Sequence, residues 1–585
     1  MKPGTAFRLL LIAALVGACS PGFAQLARPL GDERLDALAK RYFAQVWRAD
    51  PVRATQAGVH DYDDKLGSYS ADAYAERLAT AKAYLAELRA IDPGTMGADA
   101  SYDAQILQSH LERAILLLGP MERWRHEPRT YAATASNAIY NLLARDYAPL
   151  PTRVRSVVAR ERQIPAMLVE ARENVTTVDA VTAQIARVDI AGTISFFSNA
   201  VPLAVAPLKD AALRAQFNDA NEAAIAALRT YLSELERGAF AHPSGTFAVG
   251  PEHFAELLRL QELSPMPLDA YERVGVAALA KTKAEFVETA KRIDSARSPL
   301  AVANELGTHH PPADGLLRKA SEDIVSLRAF VVEHHILTLP PSDDVKVVAS
   351  PEFSRTTMFA AMNVPGPLET HATAAFYDIT PVEPDWSAAR KEEHLSLFND
   401  AAFPIVSMHE VVPGHYVNFA LARLEKLSLI RRLLPSVSFA EGWAHYGEQM
   451  MVDEGWGNGD PHVRLAQLQA ELERECRAIV GLREHTHGMT VDEATTFFRE
   501  NAFISEDEAR REAFRGTAEP LYGYYTLGKL ELLKLRDDYR RFAGSRYSLE
   551  SFHDLLLAHG DPPIAIARKL VLGAEDDGKL LPAGS

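Results

Sequence analysis

The chain has 585 residues, and its 47% hydrophobic and 24% charged residues are the composition of a globular protein, which excludes a disordered or fibrous chain. Its formal net charge of −16 argues against nucleic acid as a partner and against a broad anionic membrane surface, because both require clustered positive charge. With only Cys19 and Cys476, the chain can build neither a disulfide framework nor a zinc site made of thiolates.

Residues 1–24 have the layout of a secretory signal. Lys2 and Arg8 flank the start of an apolar run that is too short to span a bilayer, and small residues follow it. Cleavage after Ala24 would release a plain exported protein, whereas the Val-Gly-Ala sequence before Cys19 resembles a lipoprotein box, in which Cys19 would carry the lipid. We expect an exported chain, periplasmic or secreted, with Cys19 as the candidate anchor. We expect no transmembrane segment in the mature chain, since no later uncharged apolar stretch reaches about 18 residues.

The next part of the chain, residues 25–340, is predicted to be an N-terminal helical region. Residues 72–89 and 220–237 are rich in Ala, Leu and Glu, and their apolar residues recur at spacings of three and four. Pairs of proline and glycine residues separate such segments. This periodicity is typical of amphipathic helices that pack on a common core.

A change of pattern follows Pro340. Two short runs rich in branched and aromatic residues, 345–349 and 375–380, predict strands, and helical patterns return after Trp386. We therefore predict a mainly α fold with one small β-sheet. Residues 341–585 form the second predicted region, which carries the sheet, the C-terminal helices and the candidate metal site; a single continuous domain over 25–585 is the alternative.

The segment richest in potential metal-binding and catalytic side chains begins at His409 and Glu410. This pair is similar to the start of the zinc-peptidase helix motif H-E-x-x-H, in which two histidines bind the metal and the glutamate acts as general base. Here the second histidine is His415, six residues on, which would lie about 240° around a regular helix. Pro413 breaks the helical hydrogen bonds and Gly414 permits a sharp turn, so a local break could bring His415 back to His409.

A second segment supplies carboxylates. If residues 439–450 form a helix, Glu441, His445 and Glu448 lie on one face of it. Two histidines and one carboxylate with a fourth position open for water are the usual ligands of catalytic zinc, and Glu441 is the natural third ligand. His445 and Glu448 are then candidates for orienting the ligands.

The two segments together resemble the DUF 885 family of bacterial proteins. The likeness rests on His-Glu-x-x-Pro-Gly-His at 409–415 and Glu-Gly-Trp-Ala-x-Tyr at 441–446, and it covers about residues 30–570. The family looks related to zinc-dependent metallopeptidases of the gluzincin type. Other shared segments stand at 51–63, 364–367 and 520–528.

This resemblance implies a ligand set and a shape. His409, His415 and Glu441 would bind Zn²⁺, and Glu410 would act as general base. The implied fold is a large helical body with a deep cleft and a small sheet beside the active-site helices. An exposed strand of that sheet could pair with an extended peptide substrate.

Two further residues are implied as catalytic. His485 aligns with a histidine of the family, although Gly481 stands where an aspartate is expected nearby. Tyr525 could donate its hydroxyl to the oxyanion of a tetrahedral intermediate. Either His485 or Tyr525 would stabilise that charge.

The expected function is a zinc-dependent peptidase-like hydrolase. Its substrate would be a peptide or a small amide, cleaved by a metal-activated water with Glu410 as base. One alternative is a zinc hydrolase of a non-peptide amide or an ester. Another is a non-catalytic periplasmic binding protein that uses the helical cleft.

Overall fold

The structure, a computed structural model, describes residues 29–341, 345–350, 355 and 359–581. The predicted signal segment and Cys19 lie outside these residues. Within them the chain forms twenty-five α-helices and three β-strands, which confirms the prediction of a mainly α fold with one small sheet.

The helices before the sheet are α1 (Leu30–Ala49), α2 (Pro51–Ala57), α3 (Ala71–Arg89), α4 (Ala98–Leu118), α5 (Pro128–Leu143), α6 (Leu150–Glu161), α7 (Ile164–Asn174), α8 (Ala180–Ser195), α9 (Val201–Val205), α10 (Ala211–Arg237), α11 (Pro251–Glu262), α12 (Leu268–Ile293), α13 (Pro299–Leu306) and α14 (Leu316–Glu333).

The strands are β1 (Val345–Ala349), β2 (Ala360–Asn363) and β3 (Ala375–Ile379). The helices after them are α15 (Ala388–Ser396), α16 (Ala402–Glu410), α17 (His415–Leu424), α18 (Leu429–Leu433), α19 (Val437–Asp453), α20 (Pro461–Thr486), α21 (Val491–Ala502), α22 (Glu506–Ala518), α23 (Tyr524–Ala543), α24 (Leu549–Leu557) and α25 (Ile564–Leu572).

The sheet has the order β1-β3-β2. β1 pairs in parallel with β3, so that Val345 lies opposite Ala375, and β2 pairs antiparallel with β3, so that Ala360 lies opposite Ile379. β1 and β3 coincide with the two predicted strands, while β2 was not predicted. β2 is an outer strand, and the end of α16 packs against it.

Capping side chains fix where the site helices begin. The Ser436 hydroxyl accepts a hydrogen bond from the backbone N–H of Phe439 and caps α19. Asp460 caps α20 in the same way, and Pro461 occupies the first helical position. Both helices therefore start at a defined residue, which sets the side chains that they direct to the site.

The hydrophobic core runs through both predicted regions. Phe286 of α12 packs in one cluster with Leu472 and Cys476 of α20, and Phe254 of α11 packs in another with Leu482. The Cys476 side chain is fully buried, and burial raises the pKa of its thiol well above the ordinary value. Cys476 therefore serves packing, as its position in a helical pattern predicts.

One helical segment, Ala180–Val205, is long and apolar enough to cross a membrane by length and composition alone. It includes the charged residues Arg187 and Asp189, and about a third of it (33%) is buried in the protein. Ile190 and Phe197 are fully buried in the N-terminal hydrophobic cluster. The segment is thus part of the packed helical body.

Candidate metal centre

The chain reverses direction between α16 and α17. α16 ends at Glu410, and the backbone N–H of Gly414 donates to the carbonyl oxygen of Met408 across 2.9 Å. A β-carbon on Gly414 would collide with the His409 and Met408 carbonyl oxygens, so only glycine fits here. α17 then begins at His415, which returns that side chain to the end of α16.

His409, His415 and Glu441 meet at this turn. The Nε2 atom of His409 lies 3.3 Å from Oε2 of Glu441, and the Nε2 atom of His415 lies 3.4 Å from the same oxygen. One potential ligand atom from each residue lies within 4.8 Å of the other two. The structure thus brings together the three residues that the sequence predicts as ligands.

Close helix packing places Glu441 there. Gly442, the next residue, lies against Gly528 of α23, and a side chain on either glycine would collide with the other helix. The indole N–H of Trp443 donates to the carbonyl oxygen of Pro413 across 2.9 Å. α19 is therefore fastened both to α23 and to the turn that carries His415.

A second layer of polar side chains holds His409. Its Nδ1 atom lies 2.6 Å from Oε1 of the fully buried Glu448, and Arg474 of α20 contacts the same oxygen at 3.1 Å. The other carboxylate oxygen of Glu448 lies 3.3 Å from Nδ1 of His445. Burial opposes ionisation of Glu448, yet Arg474, His445 and His409 hold its pKa well below its ordinary value.

The cluster attracts positive charge. Burial disfavours the protonated imidazole of His409, but the neighbouring carboxylates of Glu441 and Glu448 outweigh burial and raise the pKa of His409 to about 9. Burial likewise opposes ionisation of Glu441, while His415 and His409 keep its pKa well below the ordinary value. A partly buried carboxylate between two imidazoles favours a cation at this place, either a proton or a metal ion.

The donor set fits zinc. An ionised Glu448 can only accept, so Nδ1 of His409 carries a proton, while Nε2 faces Glu441, where a metal ion would take the place of a second proton. Among the atoms of the described residues, buried Oε2 of Glu441 has no hydrogen-bond donor; the two imidazoles approach it only at ion-pair distance. Two imidazole nitrogens and one carboxylate, with room for a fourth ligand, are the usual set of a catalytic zinc site.

Glu410 and the sheet edge lie beside this cluster. The Oε2 atom of Glu410 accepts a hydrogen bond of 2.8 Å from the backbone N–H of Met362 in β2. Arg145 from the N-terminal region donates to the carbonyl oxygen of Asn363 at 2.9 Å and steadies the same strand. The predicted general base is thus directed to the outer edge of the sheet.

Tyr525 also lies at the site. Its ring centroid is 6.3 Å from that of His409, and its hydroxyl accepts a hydrogen bond of 3.2 Å from Arg515. The guanidinium of Arg477 lies 5.1 Å from the centre of the same ring. Burial and the Glu441 carboxylate raise the pKa of Tyr525, so its hydroxyl stays protonated and able to donate.

The structure does not bring His485 to the cluster. Its Nδ1 atom accepts from the backbone N–H of Val249 at 3.2 Å, and its Nε2–H donates to the carbonyl oxygen of Gly516 at 2.9 Å. His485 lies eleven residues after Arg474 on α20, which separates the two residues by about 16 Å along the helix axis. Burial lowers the pKa of His485 to about 4, so a neutral ring fastens α20 to these two backbone segments.

The surroundings of Gly481 explain why no aspartate occupies that position. A β-carbon there would lie 2.8 Å from the carbonyl oxygen of Pro520 and 2.9 Å from the ring of Tyr522. α20 therefore packs too closely on this segment to accept a side chain.

Arg474 is a site residue that the sequence motifs do not indicate. The one sequence feature that could have drawn attention to this residue is its positive charge in α20, a helix that has buried residues on several of its faces. An arginine in such a helix needs an acceptor, which is here the Glu448 carboxylate.

Two cavities flank the cluster. A cavity of about 310 Å³ lies along α17 and is lined by Phe419 and Arg423 among others. Another of about 380 Å³ lies at the start of α19 and is lined by Val437, Tyr524 and Gln261 among others. None of the three proposed ligands lines either cavity, so each cavity adjoins a ligand-bearing helix rather than the ligands themselves.

Two solved structures share the fold. A predicted lipoprotein of unknown function from Shewanella oneidensis is 25% identical, with a TM-score of 0.75, over 92% of this chain and 99% of that chain. A predicted lipoprotein from Colwellia psychrerythraea is 17% identical, with a TM-score of 0.71, over 92% of this chain and 98% of that chain. Comparison with curated protein sequences gave no significant match.

The family assignment rests on nearly the whole folded chain. The family described as "Bacterial protein of unknown function (DUF885)" matches residues 51–571, which include both candidate metal-site segments and the sheet. The chain therefore belongs to the DUF885 family of bacterial proteins.

Proposed function

We propose that the chain is a zinc-dependent hydrolase that cleaves peptide bonds. The observation that carries the proposal is the convergence of His409, His415 and Glu441, whose ligand atoms lie within 4.8 Å of one another, next in the chain to Glu410, whose carboxylate is held by the Met362 N–H. Glu448 supports the proposal because it fixes the tautomer of His409 that can bind a metal.

In this proposal each residue has one task. Zinc, when bound, supplies Lewis acidity and makes water a better nucleophile near neutral pH. Glu410 accepts the proton of the attacking water and passes it to the leaving nitrogen. The Tyr525 hydroxyl donates a hydrogen bond to the oxygen on which negative charge develops.

The sheet edge favours a peptide over other amides. β2 is an outer strand, and its Met362 N–H points to Glu410 rather than to β3. An extended substrate that took the Met362 N–H from Glu410 could pair with this edge, which would place its amide groups next to the released Glu410 carboxylate.

A digest of a mixed peptide pool tests this function. We expect the zinc-loaded protein to cleave peptides and the Glu410→Gln variant to lose turnover while it keeps its zinc. Glu425→Gln, at the exposed end of α17, is the matched control and retains full activity.

Other outcomes identify the alternatives. Cleavage of small amides or esters, but of no peptide, would indicate a non-peptide hydrolase. A protein that takes up no zinc and gains no activity from it would be a binding protein. Full activity of Glu410→Gln would show that the assigned base is wrong.

We also propose that the chain is exported and anchored through Cys19. Both solved relatives are described as predicted lipoproteins, and the lipoprotein-box sequence before Cys19 supports the same attachment here. Labelling with a radioactive fatty acid tests it: we expect label in the wild type and none in Cys19→Ser. Equal labelling, or none in either protein, would contradict the anchor.

A further inference from the structure

We propose that the cavity along α17 binds a carboxylate group of the substrate. The proposal rests on the proposed function and deepens it, because it names the class of substrate: a short peptide with a carboxylate next to an apolar group.

The cavity combines apolar walls with arginines. Phe43, Trp47 and Phe419 supply apolar surface, and Arg423 and Arg432 supply charge within a volume of about 310 Å³. That volume accommodates an apolar side chain together with a charged group, and arginine is the side chain best suited to bind a carboxylate through two parallel hydrogen bonds.

The two arginines lack acidic partners. Arg423 donates to the carbonyl oxygens of Gly366 and Glu369, at 2.8 and 2.7 Å, and Arg432 donates to the carbonyl oxygen of Pro367. Within the described parts of the chain neither arginine forms an ion pair. Backbone carbonyls orient both guanidinium groups at the cavity wall, and the Glu369 carboxylate, which is bonded to His60, acts on Arg423 without forming an ion pair with it.

A neighbouring arginine provides the contrast. Arg431 also lines the cavity, yet its Nε–H donates to Asp103 at 2.7 Å and its Nη2 atom lies 3.3 Å from Asp99. The charge of Arg431 is therefore already compensated by the protein. Arg423 and Arg432 retain the capacity to bind an added anion.

The cavity adjoins the candidate metal centre through α17. Phe419 lines the cavity and lies one helical turn after His415, with 6.0 Å between the ring centroids and 28° between their planes. Asp561, in the same wall, interacts electrostatically with His415 and faces Asn418. One wall of the cavity is thus formed by α17, the helix that begins with the proposed zinc ligand His415.

The sheet edge leads into the same cavity. Val364 and Pro365 line it, and they directly follow β2, whose Met362 binds Glu410. A peptide that runs along β2 past Glu410 would therefore reach Arg423 and Arg432. The carboxylate it presents could be a free C-terminus or the side chain of an acidic residue, which share the same chemistry.

Binding to zinc-loaded Glu410→Gln protein tests the proposal without turnover. The probes for calorimetry are N-acetyl-leucyl-leucine, its C-terminal amide, N-acetyl-leucyl-glutamic acid with an amidated C-terminus and a free side-chain carboxylate, and the matching glutamine peptide amide. The binding of each probe is measured for the Glu410→Gln protein and for the same protein with Arg423→Gln or Arg432→Gln added. Arg229→Gln, at an exposed position of α10, is the matched control.

We expect a probe with a carboxylate to bind about 10- to 100-fold more tightly than its neutral partner, the range for a hydrogen-bonded charge. A preference for the free C-terminus identifies a terminal carboxylate as ligand, and a preference for glutamate over glutamine identifies a side chain. Arg423→Gln and Arg432→Gln each reduce the preference, whereas Arg229→Gln leaves it unchanged.

Equal binding of charged and neutral probes, no binding of any probe, or a preference that survives both arginine substitutions would overturn the proposal. The zinc content of the same samples tests the proposed function separately. Protein that holds zinc but shows no carboxylate preference refutes only the carboxylate site, whereas protein without zinc refutes the metal-dependent function.

Discussion

The Nδ1 atom of His409 lies 2.6 Å from a carboxylate oxygen of Glu448, and this contact joins α16 to α19 inside the protein. Arg474 contacts the same carboxylate oxygen at 3.1 Å and helps to keep Glu448 ionised. The contact fixes which nitrogen of His409 carries the proton, so the other nitrogen is available to a metal ion. Glu448 is therefore a positioning residue for the candidate metal centre.

Replacing Glu448 with glutamine tests this positioning role. We expect zinc affinity to fall about 10- to 100-fold, because an amide accepts a weaker hydrogen bond and does not compensate charge. Competition with a chromophoric chelator measures the affinity. Glu454→Gln, at the exposed end of α19, is the control and leaves it unchanged. Equal affinities for the wild type and Glu448→Gln would refute the role.

Gly414→Ala tests the turn that returns His415 to His409. A methyl group would collide with two backbone carbonyl oxygens, so we expect a loss of at least about 3 kcal/mol in stability and of high-affinity zinc binding. Thermal unfolding and chelator competition measure the two effects. Gly192→Ala, in α8 with open space around it, changes stability by no more than about 1 kcal/mol. Similar effects of the two substitutions would contradict this account of the turn.

Tyr525→Phe tests the source of the oxyanion hydrogen bond. We expect kcat to fall about 10²-fold with little change in KM, because the lost hydrogen bond forms mainly in the transition state. Tyr524→Phe is the matched substitution, since the Tyr524 hydroxyl also contacts Arg515 but donates its proton to Glu519. A larger effect of Tyr524→Phe would transfer the role to that residue.

Glu484 is predicted to make stability depend on pH. Its carboxyl group is buried in α20, and burial raises its pKa from 4.5 to about 9. Between these values the folded state holds a proton that the unfolded state has lost. The free energy of unfolding therefore falls as pH rises through this range, by at most about 1.4 kcal/mol per pH unit from this group.

Glu484→Gln removes that contribution. We expect the variant to lose less stability than the wild type between pH 5 and pH 8, as measured by denaturant unfolding at several values of pH. Glu500→Gln, an exposed residue of α21, retains the slope of the wild type. An unchanged slope for Glu484→Gln would show that Glu484 is ionised in the folded protein.

Much of the fold follows from local sequence patterns. The apolar periodicity of residues 72–89 predicts a helix that the structure shows at Ala71–Arg89, and β1 has the predicted bounds. β2 escaped prediction because Ala-Ala-Met-Asn has little intrinsic preference for strands. Its extended conformation depends on pairing with β3, which is a contact between distant parts of the sequence.

The candidate site also contains residues that the sequence predicts and residues that only the folded structure identifies. His409, His415 and Glu441 could be predicted because their spacing and residue types carry the chemistry. The separation of His485 from them could not, because it depends on the direction and length of α20. Arg474 was equally inaccessible, since its partner Glu448 belongs to another helix and only tertiary packing brings the two together.

Zinc content of the purified protein tests the central claim most directly. We predict one zinc ion per chain in the wild type, measured by mass spectrometry after removal of loosely bound metal, and less than a tenth of that in His415→Ala and Glu441→Ala proteins that remain folded. A wild type without zinc, or the same zinc content in all three proteins, would contradict a metal centre built from His409, His415 and Glu441.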